Sequence, residues 1–204
     1  MDYSSSEGIR YSSQGMENEA LLIPAIFVNT LARSRRETLR EVVVNKLERD
    51  LSHVLHQVNP AIERISVIDQ TVYADIGLGK MMPLNTFGSG LAQVANVYST
   101  ALSGKSQIIL IDEIENGLHH TAMTSFLEAL ITLTYEQNLQ IFATSHSLDV
   151  LQQLQGLLLE DRLSDARSEM RCYVLAKNKD GKVIAYRYDH QKFNHCIQHG
   201  IEIR

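Results

Sequence analysis

A chain of 204 residues with 19 Lys and Arg against 24 Asp and Glu carries a formal net charge of −5, and its 44% hydrophobic content is enough for a packed core. That balance excludes global disorder, and it excludes nucleic-acid binding by bulk charge, since a mildly acidic chain lacks a chain-wide basic footprint. Two cysteines, Cys172 and Cys196, are too few for a disulfide scaffold and fit a reducing, cytoplasmic setting, and neither a bilayer-spanning apolar run nor a secretory signal is present.

Residues 1–18 are rich in Ser, Gly and Glu without periodicity and read as a flexible arm, which leaves 19–204 as the folded part. Residues 21–29 (LLIPAIFVN), interrupted by Pro24, predict an edge strand or an extended lead-in segment. One long helix is predicted from an N-cap at Ser34 to Pro60. Leu39, Val42, Val43, Leu47, Leu51, Val54, Leu55 and Val58 recur at steps of three and four, opposite a charged face. Two short strands follow at 65–69 and 71–76, before a turn at 77–80.

The pattern then changes to alternating strand and helix. Residues 91–102 predict a helix directly after Gly88-Ser89-Gly90, 107–111 (QIILI) a fully apolar strand, and 121–135 a helix. A second buried strand is expected at 139–144 (LQIFAT), followed by a helix over 148–159 with Ser147 as its N-cap. Continuously apolar strands joined by such a helix predict an α/β fold, with a mainly parallel sheet covered by helices on both faces. Residues 171–177 and 182–188 alternate around Asn178-Lys-Asp-Gly181, a C-terminal β-hairpin signal, and a short helix closes the chain.

The chemistry concentrates in IILIDEIENGLHH. An apolar strand ends there in two adjacent carboxylates, Asp112 and Glu113, and burying a carboxylate costs several kcal/mol unless it is paired or binds a cation. In nucleotide hydrolysis the first such acid holds Mg²⁺ through water and the second polarises the attacking water as general base. The plain alternative is a strand that surfaces in ordinary polar residues. The next strand, ending Thr144-Ser145-His146, is expected to run parallel and to bring its C-terminal end to the same sheet edge, where open α/β folds bind ligands. A histidine there can hydrogen-bond a γ-phosphate or the attacking water. Upstream, Gly88-Ser89-Gly90 opens a helix, and glycines before a helix N-terminus let an anion approach closely.

The order PLNTFGSGLAQ, IILIDEIENGLHH, IFATSHS resembles the C-terminal half of ABC-type ATPase heads. It is most similar to prokaryotic AAA-family ATPases related to OLD (overcoming lysogenization defect), RecF and SMC proteins, over residues 21–204 and including the closing GIEIR. The resemblance implies a P-loop NTPase lobe in which Asp112 and Glu113 are the Walker B acids and His146 the switch histidine. Glu115–His119, with Asn116 near the nucleotide, would be the D-loop. Gly88, Ser89 and Gly90 would stand at the signature, although the Leu-Ser-Gly-Gly wording is absent. It further implies ATP and Mg²⁺ as ligands, sandwiched in a homodimer or with an ATPase partner, and DNA or a nuclease as a further partner.

A P-loop, G-x-x-x-x-G-K-[ST] between strand and helix, is missing. The single Gly104-Lys105-Ser106 has Ser99 five residues earlier and follows a helix instead of a strand, so it is read as a decoy. The expectation is therefore an ATPase needing a P-loop from a missing N-terminal half or from a partner. The rival is a non-catalytic interaction or regulatory subunit that pairs with a complete ATPase. The pairs His53/His56 and His195/His199 have ligand spacing on helices but no third ligand, and Ser145 lacks the elbow of a nucleophilic serine. The Arg33, Arg35, Arg36 and Arg40 group is interleaved with Glu37 and Glu41, which predicts an ion-paired face.

Overall fold

Residues 24–28, 36–105 and 107–200 are described by the computed structural model, and they fall into two units, 1–145 and 146–204. In the first unit, β1 (Ala25–Val28) is followed by α1 (Arg36–Val44), α2 (Glu48–Val58), β2 (Arg64–Ile68), β3 (Thr71–Asp75) and a short β4 (Met82–Pro83). A 3₁₀ turn over Leu84–Phe87 leads into α3 (Ser89–Leu102), then β5 (Ile108–Ile111), α4 (His120–Glu136) and β6 (Gln140–Ala143).

The single long helix expected before Pro60 is two helices. The N–H of Leu47 donates to Val42 O at 2.8 Å and that of Lys46 to Val43 O at 3.1 Å, with Lys46 at φ 57. Those two bonds around a left-handed residue make a Schellman stop, here without the usual glycine, which is why the sequence conceals it. The expected cap, Ser34, lies outside the described residues, as do Arg33 and Arg35.

β1, β5 and β6 form a parallel sheet in the order β1-β5-β6, with Ile26, Ile109 and Ile141 in one row and Phe27, Leu110 and Phe142 in the next. Val28, Ile109 and Ile111 are buried on one face. The other face is only partly covered: Phe27 and Phe142 are 50% and 49% exposed. The 139–144 segment is thus an outer, largely exposed strand where a buried one was expected, because four-residue apolar runs look alike in either setting. α2 packs on both α3 and α4, burying Leu51, Leu55, Val94, Val97, Phe126 and Leu133. β2, β3 and β4 make a separate antiparallel sheet. Its β2–β3 hairpin turns on Asp69-Gln70, both at positive φ as a type I′ turn requires. Glu48 ties α2 to it by accepting the Val67 N–H at 3.1 Å.

The second unit contains α5 (Leu148–Leu158), a 3₁₀ turn at Asp161–Leu163, α6 (Ser164–Glu169), the antiparallel pair β7 (Cys172–Lys177) and β8 (Val183–Tyr188), and α7 (His190–Gln198). Sequence periodicity gave no sign of α6, which is six residues long. The core here is small: Phe193 and Cys196 of α7 pack with Leu151, Leu154, Val174 and Tyr188. Both cysteines are free thiols, and burial pushes the Cys172 thiol upward. Ser147 caps α5 as expected, accepting the Val150 N–H at 3.4 Å, and Asp189 caps α7. Among the described residues no helix is long and apolar enough to cross a membrane.

Candidate functional site

The apolar strand β5 carries the chain to Ile111 and stops, because the next residues are charged and leave the sheet. Asp112 and Glu113 are both exposed. The desolvation cost anticipated for buried carboxylates is therefore absent, and a different feature marks the pair. Glu113 sits at φ 48, a left-handed conformation that costs a non-glycine residue about 1–2 kcal/mol and persists only where neighbours fix it.

The neighbour that fixes it is Thr144, at the end of β6. The Thr144 hydroxyl donates to Asp112 Oδ1 at 2.5 Å and accepts the Glu113 N–H at 2.9 Å. The backbone closes the same junction, with Thr144 N donating to Ile111 O at 2.9 Å and Ile114 N donating to Thr144 O at 3.0 Å. One threonine thus clamps both acids across the parallel pair β5–β6. On the other side, Asn116 N donates to Glu113 O at 2.9 Å and its Nδ2 reaches Glu113 Oε2 at 3.4 Å. The motif reading assigned no role to Thr144. The signal available for it was a β-branched hydroxyl at the C-terminal end of the strand parallel to the acidic one.

The Gly88-Ser89-Gly90 segment meets this corner directly. Gly88, at φ 111, is the N-cap of α3, so Ser89 and Gly90 lie in its first turn, and no side chain caps that terminus. A Cβ on Gly90 would fall on the Gly117 carbonyl, and one on Gly117 would strike Ser89 Oγ and come within 2.7 Å of Gly90 N. Both positions exclude every residue but glycine, and Gly117 also needs its φ of 74. The structure therefore brings together Asp112, Glu113, Asn116, Gly117, Ser89 and Gly90. His146 is exposed and is the first residue of the second unit.

Lys105 of the Gly-Lys-Ser tripeptide makes an ion pair with Glu41 at 3.0 Å, and this contact holds the Glu41 carboxyl below its ordinary value. The tripeptide follows α3 and precedes β5, the reverse of a P-loop setting. The histidine pairs have local partners: His56 Nδ1 lies 2.7 Å from Ile62 O, and His199 Nδ1 lies 2.9 Å from His195 O. His119, at the N-cap of α4, lies 3.0 Å from Thr121 Oγ1 and stacks on His120. Among the described residues no three His, Cys, Asp or Glu groups converge as metal ligands. A cation at Asp112 would draw on oxygen donors alone, the carboxylate and the Thr144 hydroxyl, a hard set that suits magnesium with most of its waters retained.

Residues 11–151 match the model of a family described as "AAA domain, putative AbiEii toxin, Type IV TA system". A protein of Helicobacter pylori described as an ATP/GTP phosphatase is 26% identical over 184 residues, which is 85% of this chain and 50% of that protein. The chain thus spans about half the length of this curated relative. Among solved structures, a chain from work on ATP-driven dimerization and DNA-stimulated activation of SMC ATPases superposes with a TM-score of 0.54 at 10% identity, over 81% of this chain and 98% of that one. An Smc head domain with coiled coil and joint from Pyrococcus yayanosii gives 0.53 at 10% identity, over 78% and 30%. At these identities the likeness is one of fold, an α/β sheet flanked by helices as in SMC ATPase heads.

Proposed function

Because the chain belongs to the AAA-domain family whose model it matches, we propose that it supplies the later half of a P-loop ATPase site of the OLD- and RecF-like kind, binding and hydrolysing ATP with magnesium. The observation that carries this reading is the corner itself: two adjacent acids beyond a central strand, clamped by one threonine, with Glu113 held in a conformation it would not adopt unaided. Ordinary surface acids need neither the clamp nor the strain.

In this reading Asp112 holds magnesium through water, and the ion neutralises charge on the β- and γ-phosphates. Glu113 accepts a proton from the attacking water, and Asn116 orients its carboxylate. His146 hydrogen-bonds the γ-phosphate. Gly88, Ser89 and Gly90 present the open N-terminus of α3 to phosphate oxygens, in the manner of anion sites at helix starts. The phosphate cradle comes from another segment or another chain, either a homodimer partner or a separate ATPase subunit, with DNA or a nuclease as downstream partner.

The experiment measures ATP turnover in the assembly that joins this chain to a P-loop, comparing wild type with Glu113→Gln. Loss of a general base lowers turnover by about 100-fold or more while leaving ATP binding in place. Turnover unchanged by the substitution removes Glu113 from the mechanism. One observation favours a second reading for the chain acting alone, as a non-catalytic subunit that pairs with a complete ATPase. Its single Gly-Lys-Ser lysine is engaged by Glu41 and lies in no phosphate-binding context. On that reading the isolated chain shows no affinity for Mg·ATP by calorimetry.

A further inference from the structure

The β7–β8 ribbon of the second unit has two unlike faces. Cys172, Val174 and Tyr188 pack toward Phe193 and Cys196, whereas the opposite face carries Tyr173, Leu175 and Lys177 of β7 and Val183, Ala185 and Arg187 of β8, all six exposed. The register sets Tyr173 opposite Arg187, Leu175 opposite Ala185 and Lys177 opposite Val183. A flat, uncovered sheet face with apolar residues at its centre is where a partner is expected.

Charge identifies the partner. Over residues 171–188 the chain carries Arg171, Lys177, Lys179, Lys182 and Arg187 against the one acid Asp180, although the whole protein has a net charge of −5. The ion pairs among the described residues join Arg64 to Asp75, Lys105 to Glu41 and Arg162 to Glu160, and use none of these five cations. Nor is the presenting turn loose. Asn178 Oδ1 accepts the N–H groups of Asp180 at 3.0 Å and Lys182 at 2.9 Å, and Asn178 N donates to Lys182 O at 2.8 Å. Lys179 and Lys182 therefore project from a fixed scaffold. Along the face, Arg187 and Lys177 stand about 13 Å apart, four residues of strand, with Tyr173 beside the arginine.

Aromatic rings and cations alternating on an open ribbon, with no groove to grip a folded chain, is the arrangement that stacks bases and tracks phosphates. We propose that this outer face of β7–β8 binds single-stranded nucleic acid, Tyr173 stacking a base and Lys177, Lys179, Lys182 and Arg187 contacting the phosphates. The same cations disfavour a second copy of this chain as occupant, since paired ribbons would set like charges together.

The test uses the full chain without ATP, so its outcome is separate from that of the ATPase reading. Fluorescence anisotropy follows a labelled oligothymidylate across a salt series, for wild type, the triple variant K177E/K182E/R187E and Tyr173→Ala. The triple variant is expected to weaken binding at least about tenfold and to flatten the slope of log affinity against log salt by about 2. Tyr173→Ala is expected to weaken binding about fivefold or more with the slope unchanged, since stacking releases no counterions. Absence of binding by wild type at low salt, or equal binding by the triple variant, overturns the proposal. Polyglutamate competing as well as unlabelled oligothymidylate also overturns it and assigns the face to an acidic protein.

Discussion

The corner at residues 112–117 and the ribbon at 171–188 are built on opposite plans. At the corner nearly every group is tied down: Thr144 holds both acids, Asn116 holds Glu113, and two glycines touch with no room for a methyl group. On the ribbon the backbone is regular and the side chains of the outer face are exposed. The first plan suits a site where one geometry is wanted and strain is tolerated to obtain it. The second suits a surface that meets a flexible ligand and relies on charge, which acts at a distance, more than on fit.

Glycine substitutions break this contrast most directly. Gly90→Ala is expected to destabilise the protein by about 1–3 kcal/mol, because its Cβ lands on the Gly117 carbonyl and the backbone must move. A methyl group at Gly181, the ribbon's turn, meets nothing within 4 Å, so Gly181→Ala costs only the strain of its φ of 77, about 1 kcal/mol. Thermal unfolding monitored by fluorescence ranks the two, and a Gly181→Ala variant that melts lower than Gly90→Ala contradicts the assigned packing.

Thr144→Val keeps the shape of the clamp and removes its hydroxyl. Asp112 then loses a donor and the Glu113 N–H an acceptor, a loss of about 1–2 kcal/mol at a partly solvated site. Turnover in the P-loop-containing assembly is expected to drop about tenfold as the acids lose their placement, while Thr144→Ser retains most of it. Equal activity of the Val and Ser variants would show that the hydroxyl has no part in positioning.

The smallest effect is expected in the second unit. Burial, followed by the charge of Arg167, holds His190 below its ordinary value of 6.5, and its Nε2 has no partner. A depressed histidine favours the folded state only while neutral, so its contribution is full above the unfolded value and is lost as pH falls below about 6.5. Melting temperatures recorded downward from pH 7 should decline less steeply for His190→Asn than for wild type. Parallel curves would free His190 from any part in acid sensitivity.

The sequence made the alternating strands and helices around Asp112 legible, because β5 and the helices flanking it are long or apolar enough to show their period. It did not show the break at Lys46, since a Schellman stop without glycine leaves no compositional mark. Nor did it reveal that β6 is exposed, because exposure depends on what lies beside a strand and not on the residues in it. At the site, the motif named the acids and the glycines but missed Thr144, whose role arises only when β6 lies parallel to β5. The ribbon's charge was written in the sequence throughout. Only the register showed that Tyr173, Lys177 and Arg187 share one face.

The touching of Gly90 and Gly117 has a mechanical consequence. A joint with no slack transmits displacement instead of absorbing it. If a nucleotide or a partner shifts the loop carrying Asn116 and Gly117 by the width of a methyl group, the first turn of α3 must travel with it, and α3 is a 14-residue rod whose interior is almost wholly buried. Events at the acids would thereby reach the far end of α3, about 20 Å away, without any side chain acting as messenger.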